Sequence, residues 1–431
     1  MQENFFDLYF EYTADTECPQ LYHRWSAISC IATYLGRDCY FPFGNFKLHP
    51  NQYVMLIGVP ATRKSTAIKL AKNLLTRAGY QHFAAEKTSK EKMLMDMAAQ
   101  SNPSVYEDEQ NGSGRKKELS QDAILDLNLW GDDKESLESC EPAELCIAAD
   151  EFNDFIGQAN FEFISLLGTL WDFDGIYDVR TKTGKSFGVP YPTINILGGN
   201  TPVNFARAFP PETLGQGFLS RLLLVHGEPT GRKITLPKEA SADLVRDLVE
   251  LLQRIKAKCR GRIGHSSGAF SLLDKIYQGD SAGIEDIRFD AYNNRRFTHL
   301  LKLSIVCAAI RCDSTIEEED VRLANTILSF TEHHMPRALG EFGKSKNSDV
   351  SHKVMEMLTN ATAPLSMIEL WKFVAQDLDK IAQLGDIINN LRNAGKIQSI
   401  DGKFLPKRSL LAQSDSETYD WDLLKVNERG F

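Results

Sequence analysis

Strand-length apolar runs alternate with helical stripes along the first half of the chain. Leu21, Trp25, Ile28, Ile31 and Leu35 recur at helical spacing and stop at Gly36, which predicts a helix packed on a core. A β-rich passage at 39–48 leads into Tyr53-Val54-Met55-Leu56-Ile57, apolar throughout and of strand length. Ile68, Ala71, Leu74 and Leu75 then mark a helix over 65–78 that ends at Gly79. Further strands are expected at 145–149, 193–197 and 222–225. A helix over 160–175 carries Phe163, Leu166, Leu167, Leu170 and Trp171 on its core face. This alternation reads as an α/β fold.

The second half is mostly helical. After a crossing segment at 229–237, helical patterns cover 242–258, 270–312 and 317–330, the last opening on acids as a helix N-terminus favours. Residues 231–339 read as a helical lid or bundle, with Arg295 and Arg296 expected to face solvent rather than line a pore. Gly340 to Ser348 has linker composition. Beyond it come a helix at 350–358, a second opening on the capping box Ser366/Glu369, and a third at 380–394 stopped by Gly395. Two short strands about Asp401-Gly402 complete a winged-helix-like pattern over 349–408. The third helix offers Lys380, Asn389, Asn390, Arg392 and Asn393 beside Asp379 and Asp386, and the wing adds Lys396 and Lys403, a mixture that leaves DNA and protein partners open. Residues 409–431, acidic with Tyr419, Trp421 and Phe431, read as a disordered tail or a partner peptide.

At 431 residues the chain is long enough for two or three domains. The net charge of −9 excludes a uniformly basic nucleic-acid-binding surface, so any DNA contact must come from a local basic loop or a ring lumen. The eight cysteines include no C-x-x-C pair or zinc spacing and read as reduced thiols. The N-terminus is acidic where a secretory leader needs base, and the longest nearly apolar stretch, 300–310, contains Lys302 and is too short to span a bilayer. A cytoplasmic protein without a membrane partner is expected. Residues 101–141, polar and rich in acids, read as a solvated insertion.

The candidate chemistry begins where the strand at 53–57 ends. Gly58 is followed by Val59, Pro60, Ala61 and Thr62, and then by Arg63-Lys64-Ser65-Thr66. With Gly in place of Arg63 this would be G-x-x-x-x-G-K-[ST], a loop whose backbone amides curl around phosphates. In that pattern Lys64 reaches the outer phosphates and Ser65 holds Mg²⁺. Ala61 and Arg63 stand where glycines are commonest, and side chains there would crowd the phosphates. Gly184-Lys185-Ser186 and Gly343-Lys344-Ser345 lack the earlier Gly and are decoys. The G-x-S-x-G match at 184–188 lacks the strand-to-helix context of a nucleophile elbow. Asp150 and Glu151 end an apolar strand, as a Mg²⁺-orienting acid and a water-polarising acid would. Asn200, at the tip of 193–200, suits either a sensor of the terminal phosphate or a loop residue satisfying backbone. Arg221, before the run at 222–225, suits an arginine finger reaching a neighbouring subunit's nucleotide or a structural ion pair, with Arg207 as a rival.

Together, Trp25-Ser26-Ala27-Ile28, 50–54, Gly58 to Ile68, Asp150-Glu151, Gly198-Gly199-Asn200-Thr201-Pro202 and 217–225 resemble one family. It is the helicase-like P-loop ATPase family of phages and mobile elements (a domain of unknown function), similar to superfamily 3 and primase-associated replicative helicases. The resemblance covers about residues 20–335. It implies a P-loop NTPase core (AAA+/RecA-like) at 50–230, with 1–49 packed on it, assembled as a ring, commonly a hexamer. It implies ATP and Mg²⁺ at Gly58, Pro60, Ala61, Thr62, Arg63, Lys64, Ser65 and Thr66, with Ser65 and Asp150 on the metal. Lys64, Asp150, Glu151, Asn200 and Arg221 take catalytic roles. Arg180, Lys182 and Lys185 occupy the stretch where superfamily 3 grips DNA. The implied activity is a DNA helicase or translocase acting in replication on single-stranded or forked DNA in the host cytoplasm, with a primase or replication protein as a further partner. The alternatives are an ATP-switched loader or initiator, and a non-hydrolysing nucleotide-dependent scaffold.

Overall fold

The computed structural model describes residues 4–101, 141–157, 160–180, 186–209, 217–279, 284, 286–339, 346–361, 363–378, 380–393, 397–400, 402–406 and 418–424. Most of the acidic insertion, Lys182, Lys185 and most of the linker lie outside them.

The N-terminal region supplies two helices, Phe5–Tyr12 and Gln20–Leu35, and two short antiparallel strands, β1 (Cys39–Phe43) and β2 (Phe46–Leu48). The strands that follow are β3 (Tyr53–Ile57), β4 (Glu144–Ala149), β5 (Ile176–Arg180), β6 (Ser186–Pro190), β7 (Thr193–Asn200) and β8 (Leu222–His226). Four of them form a parallel sheet in the order β4-β7-β3-β8. Phe83 adds a parallel bridge to Cys146 beyond β4, so the backbone at 82–84 extends that edge. All of β3 and all of β7 are buried, as a parallel sheet covered on both faces requires.

Helices supply both covers. Gln20–Leu35 and Lys64–Arg77 pack on one face, where a Cβ added to Gly199 would lie 3.2 Å from Ile68 Cδ1. Phe152–Ile156 and Phe161–Leu170 take the other, where the Tyr53 hydroxyl donates to Leu167 O and Phe152 lies beside Gly198. The helix Gln20–Leu35 differs from its sequence pattern, which gave it one apolar face. It is buried nearly all round because Lys64–Arg77, Ala242–Lys258 and Arg296–Ile310 surround it, and Trp25 Nε1 donates to Thr331 Oγ1 at 2.8 Å.

The helices Ala242–Lys258, Ser267–Gln278, Arg296–Ile310 and Glu318–Leu339 share the hydrophobic core of the sheet. Arg296 departs from its expected exposure. It is 8% exposed, and its Nε lies 2.8 Å from Glu332 while Nη2 donates to Asn325 and Ser329. A buried guanidinium is tolerated here because Nε and Nη2 meet a carboxylate and two further acceptors. The same principle explains Lys302, fully buried, which pairs with Asp172 at 2.8 Å and donates to His49 O and Asn51 Oδ1.

The C-terminal region has its own apolar cluster, including Val354, Leu370, Leu384, Ile388 and Phe404. Its helices are Lys346–Asn360, Met367–Val374 and Ile381–Asn393, and the Ser366/Glu369 capping box forms as the sequence predicts. The strands Ile397–Ile400 and Lys403–Pro406 pair antiparallel, and Leu365–Ser366 joins them as a third strand that the sequence did not signal. Part of the acidic tail also differs from its expected freedom. Trp421–Leu424 forms a short turn, and Leu424, 2% exposed, belongs to the core of the sheet domain. Among the described residues, no helix is long and apolar enough to cross a membrane.

Candidate functional site

Parallel pairing places the carboxyl ends of β3, β4, β7 and β8 along one edge of the sheet, where open α/β sheets gather their ligands. Each strand delivers something different there. β3 runs into the loop 58–63, β4 into Asp150 and Glu151, β7 ends at Asn200, and β8 passes through His226 to Gly227.

The loop 58–63 turns sharply into the helix Lys64–Arg77. Its two left-handed residues are Ala61 (φ 71°) and Arg63 (φ 62°), the positions where the sequence pattern would have glycine. The loop therefore keeps the backbone course that glycine would permit, at a cost of about 1 kcal/mol or more for each side chain. Arg63 does not crowd the loop. Its side chain turns away to Glu17, donating through Nε at 2.8 Å, and Glu17 is held in turn by Ile234 N. Those bonds, first that from Ile234, hold the Glu17 carboxyl below the usual carboxylate range.

Lys64 lies inside the loop, 7% exposed. Its ammonium donates to Gly58 O at 2.8 Å, Val59 O at 3.2 Å and Thr62 Oγ1 at 3.2 Å. Burial lowers its pKa from the ordinary lysine value, and the nearby Glu151 carboxylate opposes that shift. A cation held by loop carbonyls at the N-terminus of a 14-residue helix is suited to an anion with several oxygens.

Ser65 and Lys69 are one turn apart on the helix, and Lys69 Nζ lies 3.1 Å from Asp150 Oδ2. Asp150 is thus tied to the helix that carries Ser65 one turn before Lys69, and a hydroxyl and a carboxylate are donors of the kind that suits Mg²⁺. Among the described residues, no cluster of three or more His, Cys, Asp or Glu side chains forms a metal site made wholly of protein. Glu151 is exposed at the start of the helix Phe152–Ile156, and its side chain makes no capping bond.

Asn200 is fully buried between these groups. Its Nδ2 donates to Asn153 Oδ1 at 2.7 Å, its Oδ1 accepts from Thr201 N, and its carbonyl faces Gly58 N at 3.4 Å. Asn153, two residues after Glu151, had no sequence signal, because the contact depends on β4 and β7 being neighbours. Gly199 is needed beside it, since a Cβ there would lie 2.5 Å from Asp150 O.

Arg221 is elsewhere. Leu222 pairs with Tyr53 at the start of β3, so Arg221 lies at the opposite end of the sheet, about 13 Å of strand from the loop. It rests over Trp171, 5.8 Å from the ring centroid, and donates to Gly217 O, while its Nε is buried without an acceptor among the described residues. Arg295 shares the same ring at 5.8 Å, a pairing the sequence did not reveal. Burial lowers the Arg221 pKa from the ordinary arginine value, and repulsion from Arg295 adds to the shift. Arg207 is exposed on the helix Pro202–Ala208, which follows β7.

β5 and β6 form an antiparallel hairpin with Arg180 opposite Ser186, so Arg180 is exposed at the end where the chain passes from β5 to β6. In comparison with known sequences, no protein-family model matches the chain and no curated protein matches it either.

Proposed function

We propose that the chain is a P-loop nucleoside triphosphatase, its core arranged as in AAA+ proteins. Within that class it acts as an ATP-driven DNA helicase or translocase in replication, assembled as a ring. The observation that carries the reading is one edge of the sheet. It holds Lys64 in a tight loop, Asp150 tied to Ser65's helix, and Glu151 and the Asn153–Asn200 pair next to them.

ATP supplies the phosphoanhydride to be cleaved, and Mg²⁺ neutralises charge on its phosphates. Lys64 exchanges its loop carbonyls for phosphate oxygens. Ser65 and Asp150 would hold the metal. Glu151 accepts the proton of the attacking water, and Asn200, fixed by Asn153, orients that water against the terminal phosphate. Arg221 acts on the site of a neighbouring subunit, because its own chain's loop is at the far end of the sheet. The β5–β6 hairpin brings Arg180 to DNA in the ring lumen, and Lys182 and Lys185 are the further basic residues of that sequence stretch. Such a local contact is compatible with a net charge of −9. The three helices and small sheet of residues 346–406 are read as a winged helix whose helix Ile381–Asn393 faces DNA.

The test is steady-state ATP hydrolysis with and without single-stranded DNA, beside Arg180→Ala. Turnover should rise several-fold with DNA, and Arg180→Ala should lose most of that rise while keeping its basal rate. Basal hydrolysis that DNA does not change would exclude the motor.

A further inference from the structure

A cavity lined by Leu21, Gly227, Phe330, His334, Arg337 and Leu424 opens beside the loop 58–63. The backbone of Gly58 and Gly227 and the side chain of Tyr22 separate the two. Gly227 N donates to Ile57 O at 3.0 Å, and a Cβ added to Gly58 would lie 2.6 Å from Gly227 O. The Tyr22 hydroxyl closes that seam by donating to Ile57 O at 2.8 Å. On its other flank the cavity is lined by Pro19, next to Cys18, whose thiol donates to Arg63 O at 3.2 Å.

One wall comes from the far end of the sequence. Residues 418–424 are tied to two helices of the sheet domain. Asn325 Nδ2 donates to Thr418 O at 2.8 Å, Asp420 N donates to Thr326 Oγ1 at 2.9 Å, and Arg24 Nη2 donates to Leu424 O. Leu424 then lines the cavity together with Phe330 and His334, whose ring centroids are 4.9 Å apart.

We infer that this cavity receives the base of the bound nucleotide and that the tail segment 418–424 is a built-in wall of the base site. The inference rests on the nucleotide reading and deepens it. A flat, uncharged aromatic ring suits walls made of two leucines and two neighbouring, mutually tilted rings. Burial holds His226 and His334 below the ordinary imidazole range, so at neutral pH both present uncharged rings. The Arg337–Glu228 pair at 3.4 Å borders the cavity with a donor and an acceptor for ring-edge groups. The tail's seat and the base's seat therefore share Leu424, and each should stabilise the other.

The experiment compares binding of Mg-ATP and of inorganic triphosphate by the full chain, by Leu424→Ala and by Leu424→Glu, with Lys64→Ala as reference and thermal melting as the folding control. ATP should bind about tenfold more weakly to Leu424→Ala, and weaker still to Leu424→Glu, while triphosphate affinity stays unchanged. Unchanged ATP affinity in both Leu424 variants, with binding lost in Lys64→Ala, would overturn the base wall and leave the phosphate loop standing. Parallel weakening of ATP and triphosphate would also overturn it, since the tail would then act on the loop and not on the base. If the unaltered chain binds neither probe, the nucleotide reading fails and the base site fails with it.

Discussion

Glu151→Gln is expected to reduce ATP turnover by about a hundredfold or more while leaving ATP affinity within a few-fold of the unaltered chain. The carboxylate is exposed, makes no capping bond and lies near enough to Lys64 to influence its protonation, so it is free to take a proton from a bound water. An amide keeps the size and the hydrogen-bonding capacity but cannot accept that proton. Because Glu151 holds no part of the loop 58–63 in place, the change should leave the phosphate cradle intact. Single-turnover hydrolysis alongside calorimetric binding separates the two effects. Hydrolysis at the original rate would move the general base to another residue.

Arg221→Ala should lower turnover on the order of 10³-fold in the assembled protein. Its own chain cannot explain such a loss, because Arg221 and the Lys64 loop are at opposite ends of β3 and β8. Trp171 gathers Arg221, Arg295 and Lys302 around its ring, and the repulsion of Arg221 by Arg295 outweighs the attraction of Asp172. An anionic ligand from a neighbouring subunit would relieve that repulsion. The decisive version mixes Arg221→Ala chains with Lys64→Ala chains, each inactive alone. A shared site predicts partial recovery, since some interfaces would join an intact Lys64 to an intact Arg221. A purely structural Arg221 predicts none.

Much of this was legible in the sequence where the physics is local. The helix Ala242–Lys258 and the Ser366/Glu369 cap follow from periodicity and from an N-terminal hydrogen-bonding pair, both contained within a few turns. The strand Tyr53–Ile57 was legible for the same reason, whereas the left-handed backbone at Ala61 and Arg63 was not, since the sequence marked them only as places where glycines are commonest. What distance along the chain conceals was not legible. Asn153 meets Asn200 only because β4 pairs with β7. Arg296 reads as exposed beside Arg295 until Glu332 and Asn325 arrive from another helix to satisfy it. Lys302 interrupts an apolar run for a reason that lies in Asp172 and Asn51, more than a hundred residues earlier. The tail's acidic composition hides Leu424, whose burial depends on Arg24 at the other end of the chain.

We read the edge of the sheet around Lys64 as a nucleotide site. The most direct test of that reading is a calorimetric titration of Mg-ATP into the full chain and into Lys64→Ala. One bound ATP per chain, weakened about a hundredfold or more by the substitution, is the result expected of a buried ammonium that trades loop carbonyls for phosphate oxygens. No binding by the unaltered chain, or equal binding by both, would contradict the account.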